Sequence, residues 1–164
     1  MTVKRLPPQE AYKLTQHGWT YLDVRSSQEF FEGHPAGAFN IPLMNFTADR
    51  GMQANPDFLA DVESTFAKDV PLVVGCKSGG RSLRAAEILS QSGYEQVVDM
   101  RGGFGGEHNP GSGAITCQGW EAEGLPTATE AEAGRSYNDI RNADDNADDE
   151  ADDEPDPSQG PGDE

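Results

Sequence analysis

Cysteine is scarce in this chain: there are two in 164 residues, Cys76 and Cys117. Two thiols are too few for a disulfide framework, and no CxxC pair or Cys/His cluster has zinc-ligand spacing. Long apolar runs are missing as well, so no segment reaches membrane-spanning length. The opening residues, Met1-Thr-Val-Lys4-Arg5-Leu-Pro7-Pro8, bring charge and proline at once and show no apolar signal core. The expected location is therefore a reducing cytoplasm, where a reactive thiol stays available. Basic residues are few, 12 Lys and Arg against 29 Asp and Glu, for a net charge of −17. That balance disfavours nucleic acid, whose phosphates require a basic face, and disfavours an anionic membrane surface for the same reason.

The charge is unevenly placed. Residues 143–164 hold eleven acidic and no basic side chains, while the other 142 residues hold 18 acids and 12 bases, a net of −6. Hydrophobic residues make up 35 %, low enough that part of the chain is expected outside the core. The reading is one domain over residues 1–127 and an acidic, disordered tail over 128–164. The tail is a solubilising segment, or it folds back on a cationic loop and competes with anionic ligands.

Within residues 1–127, short apolar strands alternate with helices. Strands are expected over 3–6, 19–24, 38–42, 71–75 and 96–100. Helices are expected from Pro7-Pro8 to Gly18, after Ser26-Ser27, from Asn55-Pro56 through Phe66, from Gly79-Gly80 to Ser92-Gly93, and briefly over 120–124. Residues 45–54 read as polar and irregular. The alternation predicts an α/β fold with a mainly parallel sheet.

The most informative unit is Pro71-Leu-Val-Val-Gly-Cys76-Lys-Ser-Gly-Gly-Arg81-Ser82. An apolar strand runs into a cysteine, then a glycine loop, then a helix. The thiol is thereby placed at the carboxyl end of a buried strand, where open α/β sheets bind ligands. The helix dipole, converging loop amides and the charges of Lys77 and Arg81 all favour a thiolate there. Gly79 and Gly80 let the loop curl. A lone cysteine after a strand is also often only a small buried hydrophobe, and such a loop can hold phosphate without chemistry.

The stretch Cys76-Lys77-Ser78-Gly79-Gly80-Arg81-Ser82 resembles the active-site loop of the rhodanese family. Tyr21-Leu-Asp-Val-Arg25-Ser-Ser-Gln-Glu29-Phe30 with Gly33-His-Pro-Ala-Gly37-Ala-Phe-Asn40-Ile-Pro42 resembles the family's N-terminal signature. Gly102-Gly103, Trp120 and Gly124-Leu-Pro126 resemble its closing segment. The resemblance implies a three-layer fold, a central mainly parallel sheet flanked by helices. It implies a sulfurtransferase in which Cys76 is the nucleophile: the thiolate takes sulfur from an anionic donor such as thiosulfate, becomes a persulfide, and yields the sulfur to cyanide, a thiol or an acceptor protein. Residues 77 to 82 would bind the substrate through their amides, and Lys77 and Arg81 would position the donor's anionic end. No metal or organic cofactor is implied, and the oligomeric state stays open. Asp23, Arg25, Glu29, His34 and the Asn40-Ile-Pro42 turn read as structural.

Two departures stand out. Residues 104–119 are longer than the family's usual connection and are expected to form a flap near the site, and Pro35 replaces a β-branched residue. Cys117, inside that insertion, reads as a peripheral thiol or, more sharply, as a resolving thiol for a Cys76 persulfide. Two alternatives share the fold. A cysteine phosphatase needs five residues between cysteine and arginine, and here there are four. A non-catalytic rhodanese-like module usually lacks the cysteine, which this chain keeps.

Overall fold

The computed structural model describes residues 3–143. Its elements run in chain order β1 (Lys4–Leu6), α1 (Pro8–Thr15), β2 (Thr20–Asp23), α2 (Ser27–Glu32), β3 (His34–Pro35), β4 (Phe39–Asn40), β5 (Met44–Thr47), β6 (Gly51–Ala54), α3 (Phe58–Thr65), β7 (Leu72–Gly75), α4 (Gly80–Gln91), β8 (Val97–Met100), β9 (Glu107–His108), β10 (Ile115–Cys117) and β11 (Thr127–Ala128). Five of these strands form a wholly parallel sheet in the order β1-β8-β7-β2-β4.

Local chemistry explains the boundaries. Pro8 opens α1, where its missing N–H costs nothing. Ser26 caps α2 in a capping box: its hydroxyl accepts from the Glu29 amide, and the Glu29 carboxylate accepts from the Ser26 amide. The inner strands β2, β7 and β8 bury both faces, as parallel strands do under helices on each side. Leu22, Val24, Leu72 and Val74 pack with Val62 and Leu89 on the side of α3 and α4. Tyr21, Val73, Val98 and Met100 pack with Ala11 and Phe30 on the side of α1 and α2. The result is the three-layer α/β architecture expected from the sequence.

The structure differs from the sequence reading in three places. Residues 44–54 are not irregular but a hairpin, β5 against β6, with Thr47 paired to Gly51 across three residues and Gly51 at φ 72°. A glycine in the left-handed region closes such loops. Residues 120–124 form turns rather than a helix, because the Trp120 amide donates to the Gly103 carbonyl and the Trp120 indole to Pro126. Residues 128–143, placed in the tail by composition, pack onto the domain. Ile140 is buried beside the α3–α4 core, the Asn40 amide donates to the Arg135 carbonyl, and residues 137–143 are helical. Buried Asp61 accepts from the Tyr137 hydroxyl at 2.6 Å and from Arg141 at 2.9 Å. Sequence could not show these contacts, because the partners lie between 76 and 95 residues apart. The expected disorder of the acidic segment concerns residues 144–164, which lie outside the described residues.

Candidate active site

The strand order places the site. From β2 the chain moves one way to β4, and after returning at β7 it moves the other way to β8. The carboxyl ends of β2 and β7 therefore flank the crevice where the order reverses, the usual ligand position in open α/β sheets. Cys76 leaves β7 there, and Asp23-Val-Arg25 leaves β2 beside it.

Cys76 is 1 % exposed. Its Sγ accepts the Gly79 N–H at 3.1 Å, and its thiol lies 3.4 Å from Ser82 Oγ. Gly79 holds φ 113°, a left-handed conformation that side chains rarely adopt, and this turns its amide toward the sulfur. The loop's other margin is pinned by the glycine-rich turn after β8. The Phe104 amide donates to the Cys76 carbonyl at 2.7 Å and the Gly105 amide to the Lys77 carbonyl at 2.8 Å. Gly103 sits so close to both carbonyls that a Cβ would overlap them.

Of the loop residues, Gly79 and Ser82 are buried, Arg81 is half-buried, and Lys77, Ser78 and Gly80 are exposed. The two cations behave differently. Arg81 makes a bidentate ion pair with Glu29, at 2.7 Å and 3.0 Å. Burial pushes the Glu29 carboxyl up, but the Arg81 guanidinium and the Ser26 hydrogen bonds outweigh it and hold it down at about 2. The expectation that Arg81 faces an anionic donor therefore meets a resident competitor. Lys77 makes no ion pair among the described residues. It borders a cavity of about 190 Å³ with Arg25, Phe104, Glu32 and Glu121.

The residues read as structural support this wall. Arg25 pairs with Asp23 at 2.8 Å, donates to the Gly33 carbonyl at 2.6 Å, and stacks over Phe104 at 4.6 Å. Asn40 donates to the carbonyls of Asp23 and Arg25. His34 is buried, stacked on Phe30 and bonded to its carbonyl, so it orders the loop. The 104–119 insertion is a small hairpin of β9 and β10 whose first residues form part of the wall. Cys117 lies at the end of β10 with its Sγ about 3.0 Å from where a Cβ on Gly102 would stand, and burial pushes its thiol up.

Asp99 and Arg5 belong to none of the motifs read from the sequence and join the site only through the fold. The hydroxyl of Ser82 donates to Asp99, which is fully buried and also accepts from Arg5 Nε at 2.7 Å. A signal existed: Asp99 is the lone acid in the apolar strand Val97-Val-Asp-Met100, and a buried carboxylate must have partners.

Residues 7–106 match the rhodanese-like domain. The chain belongs to that family. Among its relatives, thiosulfate sulfurtransferase 16 of Arabidopsis thaliana is 42 % identical over 117 residues, covering 71 % of this chain and 86 % of that protein. The thiosulfate sulfurtransferase GlpE of Haemophilus influenzae is 34 % identical over 106 residues, covering 65 % and 89 %. The senescence-associated protein DIN1 of Raphanus sativus is 42 % identical over 99 residues, and this chain spans only 54 % of its length. In three dimensions the rhodanese-like chain superposes on Rv0390 of M. tuberculosis with a TM-score of 0.65 and 25 % identity, over 79 % of this chain and all of that one.

Proposed function

We propose that this rhodanese-like protein is a sulfurtransferase that carries sulfur as a persulfide on Cys76. The observation that supports it most directly is the cradle around Sγ, where the Gly79 amide and the Ser82 hydroxyl meet the sulfur at the carboxyl end of β7. The relatives named as thiosulfate sulfurtransferases point to the same chemistry.

In the proposed cycle, the Cys76 thiolate attacks the outer sulfur of thiosulfate. The new S–S bond forms as the old one breaks, and sulfite leaves with its electron pair. The resulting Cys76–S–S⁻ is then attacked at its outer sulfur by cyanide or a thiolate, which returns the Cys76 thiolate. Covalent catalysis of this kind splits one transfer into two easier ones. The Gly79 amide holds the sulfur anion in place. Lys77, which makes no ion pair among the described residues, attracts the donor's sulfonate end. The nearly complete burial of Cys76 favours small or extended donors, because the reacting atom must reach into the cradle.

The phosphatase alternative is disfavoured by the same geometry. A phosphoryl-binding arginine must be free to clamp oxygen atoms, and Arg81 is held by Glu29.

Intact-mass spectrometry after incubation with thiosulfate tests the proposal. The expected result is a gain of one sulfur atom, reversed by cyanide and absent from Cys76→Ser. No gain with thiosulfate or mercaptopyruvate would favour a non-catalytic binding module.

A further inference from the structure

Behind the nucleophile lies a chain of polar groups running through the core. Cys76 Sγ is 3.4 Å from Ser82 Oγ, the Ser82 hydroxyl donates to Asp99 Oδ1, and Asp99 Oδ2 accepts from Arg5 Nε at 2.7 Å. Ser82 and Asp99 are fully buried, so water does not compete for them. The carbonyl of Gly79, at 3.4 Å, is the only other acceptor near the hydroxyl among the described residues. A serine hydroxyl has one proton and can turn. While it gives that proton to Asp99, it presents a lone pair to the sulfur. A lone pair accepts from a thiol but repels a thiolate or a persulfide anion.

We propose that the proton on Asp99 sets the direction of the Ser82 hydroxyl. With Asp99 ionised, Ser82 donates to the carboxylate and accepts from the Cys76 thiol. With Asp99 protonated, the acid donates to Ser82 Oγ and Ser82 donates to the sulfur anion. Passage between the two states moves one proton from Sγ to Ser82 and one from Ser82 to Asp99, with no change in electrons or total charge. Asp99 is thus a positioning residue, acting on the sulfur through Ser82. The inference rests on the sulfur-transfer reading, since it is the persulfide anion that gains the donor.

The surroundings suit this role. Burial pushes the Asp99 carboxyl up, opposed by Ser82 and Arg5. The charged or titratable groups that face it are Arg5 on β1, Glu107 on β9 and Tyr21 on β2. Arg5 is a third exposed and favours the ionised form. Cys76 itself faces Tyr21 and Arg81.

Asp99→Asn isolates the effect. Arg5 Nε can only donate, so it holds the asparagine carbonyl oxygen, and the asparagine NH2 is left facing Ser82 Oγ as a donor. The variant mimics protonated Asp99 and turns Ser82 toward the sulfur permanently. The readout is thiolate absorbance against pH, taken as the difference from the matching Cys76→Ser protein. Asp99→Asn should lower the titration midpoint of Cys76 by about one pH unit or more, so that about tenfold more thiolate is present below the parent's midpoint. In a Ser82→Ala background the same substitution should lower it by less than half as much. No lowering, or a lowering kept by half or more without Ser82, overturns the proposal, because Asp99 then acts structurally or through space alone. If Asp99→Asn does not fold, Arg5→Gln serves. Loss of the counter-ion favours protonated Asp99 and should lower the midpoint, whereas loss of a nearby positive charge alone would raise it, and a rise overturns the proposal. Persulfide formation with thiosulfate is scored separately on the same proteins. Its absence from the parent removes the sulfur-transfer reading and leaves the titration result standing.

Discussion

The Arg81 guanidinium grips the Glu29 carboxylate through two parallel hydrogen bonds, tying the loop after β7 to the capping box of α2. One carboxylate thereby serves a helix end and the Cys76 loop together. Its ionisation falls from an ordinary 4.5 to about 2 in the folded protein. A lowered folded value means that the stabilisation is present above the ordinary carboxylate range and is lost as pH falls from about 4.5 toward 2. Both side chains are about a quarter exposed, so solvent screening brings the expected contribution down to about 1–2 kcal/mol. Urea unfolding of the parent and Glu29→Gln should show that difference at pH 6 and a smaller one at pH 3.

The two loop cations should respond oppositely to donor anions. Lys77→Ala removes the loop cation that has no ion-pair partner among the described residues and should raise the thiosulfate KM roughly fivefold at low salt, about 1 kcal/mol, with a smaller effect at high salt. Glu29→Gln releases Arg81 and should lower the same KM. Steady-state kinetics at two ionic strengths checks both.

Gly103 fills a position with no room for a side chain. Its φ is 60°, and a Cβ there would overlap the carbonyls of Cys76 and Lys77. Gly103→Ala should displace the loop, lowering the rate of persulfide formation at least about tenfold and costing about 1–3 kcal/mol of stability. Time-resolved intact mass and chemical unfolding separate the two effects.

The segment after β11 should behave as part of the domain. Ile140 is 5 % exposed within the α3–α4 core. Ile140→Ala should cost about 2–4 kcal/mol in urea unfolding. A tail that contributed only charge would leave stability unchanged.

The amino-acid sequence determined a large share of this protein by itself. The apolar runs Leu72-Val-Val and Val97-Val specify buried strands, Pro8 and Ser26 specify helix starts, and the unit from Cys76 to Ser82 specifies a cysteine-bearing loop between strand and helix. These signals are legible because periodicity, capping and turn chemistry act over a few residues. Tertiary structure alone decided which charges meet. Arg81 lies 52 residues from Glu29, Ser82 lies 17 from Asp99, and Arg5 lies 94 from Asp99. Sequence shows that each is charged or polar but not whether it is free, paired or buried. That depends on the parallel register that sets Arg5 beside Asp99 and on the return of the chain at β7 that brings Cys76 beside β2. The loop cation that makes no ion pair among the described residues, Lys77, and the carboxylate buried behind Cys76, Asp99, are consequences of packing.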